Sequence, residues 1–180
     1  SQESSTNGGP NLVKKGEDGI EEIKNPISKP KLCTNHHWED ILSGTWRDGK
    51  DGLKPLDIHV MYHSHSATLN QTNNVNKGIQ AHRKVDFVVT NHYTFTPEAQ
   101  FSDVVLPVTT PWEKDGEVLQ GNREALIWTE KVIEPYFEAK DDAWIAEEIA
   151  KRLGVDPELA NPISNEQRCF NIIASSTVVK

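Results

Sequence analysis

The stretch of sequence that decides the fold reads VVTNHYTFTPEAQFSDVVLP and covers residues 88–107. Its order predicts a buried strand, a polar loop, one helical turn that opens with Thr96 and Pro97, and a short strand that ends at Pro107. This order places a polar loop at the carboxyl end of a strand, which is where open α/β sheets bind nucleotides. The stretch therefore predicts a fold class and also the edge of the sheet that should carry a site.

The segments on either side extend this pattern to β-α-β-α-β. Short connections between such elements imply right-handed crossovers and a parallel sheet. We expect Ile58, Val60 and Tyr62 to share one face of the first strand, and Val75 and Ile79 to face the sheet from the first helix. The predicted elements are a strand over 56–62, a helix over 73–82, a strand over 85–90, a helical turn over 96–101 and a strand over 103–106.

The flanking segments complete the predicted domain organisation. Residues 1–31 are polar and rich in breakers, which is typical of a linker or of a poorly ordered segment. Residues 32–157 should form an α/β domain with a mainly parallel sheet, and residues 158–180 a helical extension. Further predicted elements are a helix over 37–42 ending near Gly44, a turn-rich loop over 47–52, a strand over 125–133, a helix over 141–153 with Ile145, Ile149 and Leu153 on one stripe, and a helix over 166–174.

Composition and charge exclude several classes of function. The 180 residues carry a net charge of −8, which argues against nucleic acid as the main partner because phosphate binding requires a basic face. No apolar run approaches the roughly 20 residues of a membrane span, and no signal peptide is visible at Ser1. Cys33 and Cys169 lie too far apart for a zinc or iron–sulfur motif, so we interpret them as isolated buried thiols.

Two polar loops at strand ends supply the candidate binding residues. In the first loop, backbone N–H groups and the side chains of residues 64–71 could hold a phosphate or a ribose; equally, Asn70 and Thr72 could simply cap the next helix. In the second loop, Asn91 or His92 could hydrogen-bond a nucleotide base and Thr96 could reach a ribose or phosphate, or Thr96 could serve only as a helix cap. The candidate residues are Ser64, His65, Ser66, Asn70, Gln71, His92 and Thr96.

Other motifs are weaker or absent. His59, His63 and His65 have the same parity, so a continued strand would place three possible metal ligands on one face; the alternative is that they are polar loop histidines. The sequence contains no GxSxG, P-loop or GxGxxG motif. Residues 112–116, which read WEKDG, show no paired acid and base, and we interpret them as a surface turn.

Several of these segments, in the same order, resemble the molybdopterin oxidoreductase family. The resemblance runs from about Asn25 to Pro157 and is carried by the collinear order of the pieces. The tripeptide LNQ at residues 69–71, taken with Asn76, is similar to the dimethyl sulfoxide reductase branch. The other matching pieces are Val88–Gly116, Gly121–Arg123, Val132–Pro135 and Ala143–Gly154.

The resemblance implies a large enzyme that holds molybdenum between two molybdopterin guanine dinucleotides and transfers oxygen atoms. Residues 32–157 would form a Rossmann-like three-layer α-β-α domain that binds one dinucleotide tail through the candidate residues, and this segment would be inactive alone. A 4Fe-4S cluster would lie elsewhere in the parent enzyme. The implied partners are the other domains of the catalytic subunit, an iron–sulfur electron-transfer subunit and a membrane anchor, at a periplasmic or membrane-associated location in a bacterium.

Two positions depart from the family pattern. His92 stands where the family usually has Asp, whose carboxylate can accept hydrogen bonds from the guanine edge, whereas a neutral imidazole accepts only one. His65 and Ser66 stand where the family often has Gly-Asn. These departures leave open an alternative, a non-catalytic nucleotide-binding or partner-docking module with the same fold.

Overall fold

The computed structural model describes six parts of the chain, which fall into two units. The described residues up to Val108 form the first unit, and those from Thr109 onward form the second unit. The predicted domain boundaries at residues 31 and 157 stay predictions, as does the linker character of residues 1–31, which lie outside the described part. The described residues are 32, 35–47, 52–64, 67–119, 127–156 and 162–175.

The first unit contains four helices and five strands among its described residues. The short pair of strands β1 and β2 is antiparallel, with Trp46 opposite Lys54. The elements in chain order are α1 (His37–Ser43), β1 (Thr45–Arg47), β2 (Leu53–Pro55), β3 (Val60–Ser64), α2 (Thr68–Gln71), α3 (Val75–Lys84), β4 (Phe87–His92), α4 (Pro97–Gln100) and β5 (Val104–Pro107).

Strands β3, β4 and β5 form a parallel sheet in that order. The register pairs Val60 with Phe87 and Val89 with Val104. The helices α2 and α3 connect β3 to β4, and α4 connects β4 to β5, as a parallel arrangement requires. The chain is therefore an α/β protein with a parallel sheet, which confirms the predicted fold class.

One face of this sheet carries the hydrophobic core of the first unit. Met61 of β3 and Val88 of β4 are buried there together with Trp38 of α1, Leu69 of α2 and Ala81 of α3. The indole Nε1 of Trp38 donates a hydrogen bond of 3.0 Å to Thr72 Oγ1, just after α2. The core thus fixes α1, α2 and α3 against the face of the sheet on which Met61 lies.

The predicted first strand was wrong in its bounds, since the strand runs over Val60–Ser64 instead of 56–62. Val60 and Tyr62 share one face, as predicted, and this face is exposed, to 57% at Val60 and 44% at Tyr62, whereas Met61 between them is buried. Apolar residues lie on both faces of the strand, so alternation alone does not show which face the helices cover.

Helix α3 also differs from its prediction. It begins at Val75, two residues later than predicted, and Val75 is exposed. Its buried residues are Gly78, Ala81 and His82, while Ile79 packs at the margin of the core. A glycine and a histidine face the core here, and periodicity of large apolar residues does not detect them.

The second unit contains an antiparallel strand pair and two longer helices. Strand β6 (Glu117–Leu119) pairs with β7 (Ile127–Thr129), which is shorter than the predicted strand over 125–133. Helix α5 (Asp142–Arg152) is capped by Asp141, whose carboxylate accepts from Ala143 N at 2.8 Å. Helix α6 (Asn165–Ser175) confirms the predicted C-terminal helix.

The predicted stripe on α5 holds only in part. Ile145 is buried, but Ile149 and Leu153 are exposed to 37% and 74%. Helix α1 ends as predicted, with Gly44 in the left-handed conformation at φ +71°. Within the described residues, no helix is both long and apolar enough to span a membrane.

Candidate functional site

The carboxyl ends of β3 and β4 bring two predicted binding segments together. Ser64 is the last residue of β3, and its partner in the register is Asn91 of β4. The Nδ2 of Asn91 donates to Ser64 Oγ at 3.4 Å. Asn91 is fully buried, whereas Ser64 is exposed. The sheet therefore presents a hydroxyl group at the edge where parallel α/β sheets bind ligands.

Helix α2 follows directly and presents two more candidate residues. Asn70 and Gln71 are exposed, and the backbone N–H of each donates to Ala67 O at 3.0 Å. Their amide side chains can donate and accept hydrogen bonds. His65 and Ser66, which complete this predicted set, lie outside the described residues.

His92, the last residue of β4, is held by its own loop. The backbone N–H of Thr94 donates to His92 Nδ1 at 3.0 Å, and Thr94 Oγ1 lies 2.9 Å from the same nitrogen. Because Nδ1 accepts a hydrogen bond from a backbone amide, the neutral ring carries its own proton on Nε2. The ring of Tyr93 lies 4.5 Å from that of His92, centroid to centroid.

Thr96 has a structural role that the sequence left open. Its Oγ1 accepts from Ala99 N at 3.4 Å as the N-cap of α4, with Pro97 at the first helical position. The side chain is 9% exposed, so little of it faces solvent. The cap is thus observed, and contact of Thr96 with a nucleotide stays a prediction.

Glu98 is a residue at this edge that the sequence analysis missed. It lies in the first turn of α4 and is fully buried. Its Oε1 accepts the backbone N–H of Leu69, in α2, at 2.6 Å. Its Oε2 is buried and, within the described residues, has no hydrogen-bond partner. In the sequence, Glu98 is visible only as an acidic residue in the first turn after Thr96 and Pro97, which is typical of any helix start.

The position of Glu98 changes the expected chemistry of the first loop. A phosphate at the start of α2 would need the N–H groups of its first turn, but the N–H of Leu69 already donates to a carboxylate. A second anion there would be repelled. The residues of this loop therefore suit neutral hydroxyl and base groups better than phosphate.

Two histidines behind the loop form a pair. His82 of α3 is buried and its Nδ1 lies 2.7 Å from Gly78 O, to which it donates. The Nε2 atoms of His82 and His63 lie 3.0 Å apart, and the rings stack with centroids 5.0 Å apart. Burial lowers the pKa of His63, the charge of His82 adds to that effect, and the carboxylate of Glu98 opposes it.

The geometry does not favour a metal site built on the histidines. His59 is exposed and lies 2.5 Å from Asp86 and 3.1 Å from Asp57, whose hydrogen bonds raise its pKa, Asp86 having the larger effect. His63 instead pairs with His82, and His65 lies outside the described residues. Among the residues whose placement is described, no group of three His, Cys, Asp or Glu side chains could hold a metal ion.

In the second unit, Glu113 does not belong to a simple surface turn. It is buried, and its carboxylate accepts from Thr110 N at 2.7 Å, Thr110 Oγ1 at 2.8 Å and Tyr136 N at 2.9 Å. These bonds, with the N–H of Thr110 first, lower the pKa of Glu113. Trp112 beside it is 65% exposed, in keeping with the predicted turn.

The second unit also contains a cavity of about 560 Å³ beside the start of α5. The buried thiol of Cys169 donates to Gly116 O at 2.5 Å at its wall. Lys114 in the wall lies 3.5 Å from Asp141, so charges of both signs meet there. Its described lining carries the carboxylates of Asp115, Asp141, Asp142 and Glu166 together with the basic side chains of Lys114 and Arg168. Cys33, the other predicted buried thiol, lies outside the described residues.

Comparison with known proteins identifies the family. Residues 45–152, more than half of the chain, match the family model described as Molybdopterin oxidoreductase. The range includes every described candidate residue of the first unit. It also ends with helix α5, as the resemblance over residues 143–154 implied.

Relatives of the chain are named as reductases or oxidoreductases. A trimethylamine-N-oxide reductase of Haemophilus influenzae is 33% identical over 104 residues, which are 57% of this chain and 13% of that protein. The dimethyl sulfoxide reductase DmsA of Escherichia coli is 25% identical over 187 residues, 94% of this chain and 23% of that protein. A probable oxidoreductase of Bacillus subtilis, YyaE, is 38% identical over 87 residues, 48% of this chain and 13% of that protein.

The chain thus spans less than a quarter of the length of these relatives. The match follows the collinear segments noted in the sequence and includes the parallel sheet with its polar carboxyl edge. The family consists of oxidoreductases that use a molybdenum–pterin cofactor. The chain belongs to the molybdopterin oxidoreductase family.

Proposed function

We propose that this chain binds the guanine nucleoside end of a molybdopterin guanine dinucleotide at the carboxyl edge of its parallel sheet. The observation that supports this most is the meeting of two polar strand ends there. Ser64 of β3 and Asn91 of β4 lie in register and in contact at 3.4 Å, next to His92 and the exposed amides of α2. This edge is the usual ligand edge of a parallel sheet.

The residues at this edge fit the chemistry of a nucleoside. The hydroxyl of Ser64 and the side-chain amides of Asn70 and Gln71 match the hydroxyl groups of a ribose, which both donate and accept. His92, with its proton on Nε2, would act as a donor toward an acceptor atom of the base, such as guanine O6 or N7. The proposed binding set also includes Thr96 and, outside the described residues, His65 and Ser66.

The chemistry of the cofactor would come from its metal centre. When bound, the molybdenum centre supplies two-electron oxygen-atom transfer. The residues described here would only hold and orient the nucleotide tail. Because the N–H of Leu69 already donates to Glu98, we expect the phosphates of that tail to lie away from the first turn of α2.

For the whole enzyme we propose a larger catalytic subunit that reduces an oxide such as dimethyl sulfoxide or trimethylamine-N-oxide, the compounds after which the relatives are named. Its partners would be the other domains of that subunit, an iron–sulfur electron-transfer subunit and a membrane anchor, at the bacterial periplasm or membrane. We expect the native enzyme to contain molybdenum and a 4Fe-4S cluster. Elemental analysis of the enzyme isolated from its source tests this proposal, and the absence of both molybdenum and iron would contradict it.

Titration of the 180-residue chain with guanosine, GMP and adenosine tests the binding role. We expect guanosine to bind about as well as GMP, because the site contacts base and ribose. Gln71→Ala should weaken guanosine binding roughly two- to tenfold, as expected for one hydrogen bond. Gln80→Ala, an exposed glutamine on α3, is the matched control and should leave the affinity unchanged. Equal binding of adenosine and guanosine would contradict recognition of the guanine base.

A further inference from the structure

Glu98 joins the two segments that form the proposed nucleotide site. One segment is the loop after β3 with α2, and the other is the loop after β4 with α4. The hydrogen bond from Leu69 N to Glu98 Oε1, at 2.6 Å, runs directly between α2 and α4. Both groups are buried, since Leu69 is 1% exposed and Glu98 is fully buried. Water therefore does not compete for this bond.

From this geometry we infer that Glu98 is a positioning residue, which orders α2 so that Asn70 and Gln71 face the nucleotide. The inference rests on the proposed nucleotide-binding function. Helix α2 has only four residues, and so short a helix has little stability of its own. A charge-assisted hydrogen bond to its first turn supplies order that its length does not.

The cost of burying Glu98 supports a role beyond packing. Its second oxygen, Oε2, is buried and lacks a hydrogen-bond partner among the described residues. An unsatisfied buried carboxylate oxygen costs free energy, and such groups in native proteins call for a functional explanation. A glutamine of the same length could accept the Leu69 N–H bond as well, so the inferred role requires an acceptor at this position.

The surroundings of Glu98 add a second link to the site. Its charge raises the pKa of His63, in opposition to burial. His63 directly precedes Ser64 in β3. Thr96, two residues before Glu98, caps the same helix. Glu98 is thus adjacent to candidate residues of both loops while its buried side chain is closed off from solvent.

Two readouts on the full chain separate this inference from the proposed function. Amide hydrogen exchange at Leu69, Asn70 and Gln71 reports the order of α2 without any ligand. Guanosine affinity reports the site. For Glu98→Ala we expect at least tenfold faster exchange at Leu69 and about tenfold weaker guanosine binding, the loss expected for one buried hydrogen bond. Glu98→Gln, which keeps an acceptor, should restore both to within about threefold of the parent chain.

The matched control is Glu113→Ala. Glu113 lies in the second unit and, like Glu98, is a buried glutamate that accepts backbone N–H groups. This variant should leave Leu69 exchange and guanosine affinity unchanged. If Glu98→Ala does not fold, Glu98→Asp, shorter by one methylene, is judged by the same readouts and should show an intermediate loss of both.

Three results would overturn the inference. Unchanged exchange at Leu69 in Glu98→Ala would show that the bond does not order α2. Faster exchange with unchanged guanosine affinity would show that α2 is ordered for another purpose. If the parent chain binds no guanosine, the proposed function fails, and the positioning role that rests on it fails too, even where exchange confirms the bond itself.

Discussion

Single side chains show the sharpest difference between what the sequence indicates and what the structure adds. Ser64, Asn70 and Gln71 are candidates from the sequence because polar residues after a strand of a parallel sheet lie at its ligand-binding edge, and their contact with a nucleotide stays a prediction. Glu98 could not be named from the sequence, since an acidic residue in the first turn of a helix is common for electrostatic reasons alone. Its contact with Leu69 joins residues 29 positions apart, and only the packing of α2 on α4 creates it.

The histidine pair should make the first unit sensitive to mild acid. The pKa of His63 is lowered in the fold, by burial first, then by the charge of His82 and slightly by His37, against the effect of Glu98. A lowered pKa means that this contribution to stability is complete above the unfolded value of about 6.5 and is lost as pH falls toward the folded value. We expect His63→Gln to reduce the loss of stability between pH 7 and 5, measured by urea unfolding.

A second histidine, His59, provides a control because its pKa shifts in the opposite direction. The pKa of His59 is raised by Asp86 and Asp57, so its contribution is present below about pH 6.5 and is lost as pH rises through the raised value. His59→Gln should therefore steepen, or leave unaltered, the loss of stability on acidification. An identical pH profile for His63→Gln and the parent chain would contradict the depressed pKa of His63.

Glu113 should stabilise the second unit at neutral pH. Its pKa is lowered, first by the N–H of Thr110 and then by that of Tyr136, so its contribution is present above about pH 4.3 and is lost as pH falls through the folded value. At pH 7, Glu113→Gln should lower the free energy of unfolding, measured with urea, by about 1–3 kcal/mol. Between pH 5 and 3, the free energy of unfolding of this variant should change less with pH than that of the parent chain. Equal stability of the two chains at pH 7 would show that the three hydrogen bonds are not formed.

Among the helices and strands, the sequence predicted order and type better than bounds and faces. The parallel arrangement followed from connection lengths and from the apolar run before Asn91. Helix α2 was missed because four residues give no readable period. The β1–β2 pair was missed because its strands have only three residues each and the sequence between them is rich in glycine and charge.

The close packing of α3 on α1 and α2 depends on a glycine. A Cβ at Gly78 would overlap Leu69 Cδ1 and lie 3.1 and 3.2 Å from Trp38 Cε2 and Nε1. Gly78→Ala gains up to about 1 kcal/mol of helix propensity, but overpacking costs about 1–3 kcal/mol, so we expect net destabilisation. The midpoint temperature of thermal unfolding measures this loss of stability.

The control for Gly78 is an exposed position of the same helix. Asn76→Ala adds helix propensity without a contact in the core, so it should stabilise the protein slightly. Stabilisation by Gly78→Ala of the same size as by Asn76→Ala would mean that α3 does not pack as closely as the structure shows.

For the chain as a whole, the family was within reach of the sequence because the matching segments stand in a fixed order from Val88 to Gly154. The division into two units between Val108 and Thr109 was not, since residues 104–110 read as one continuous strand and loop. The chain spans less than a quarter of the length of the relatives, and within that span it carries one sheet edge of the kind at which parallel α/β sheets bind ligands.

The most direct measurement is a map of guanosine binding on the 180-residue chain by ¹H–¹⁵N chemical-shift perturbation. We predict that the shifted amides cluster at Ser64, Asn70, Gln71, His92 and Thr94, with those around the Lys114 and Cys169 cavity of the second unit unchanged. Shifts confined to that cavity, or spread evenly over both units, would contradict the proposal that the carboxyl edge of the sheet holds the nucleotide.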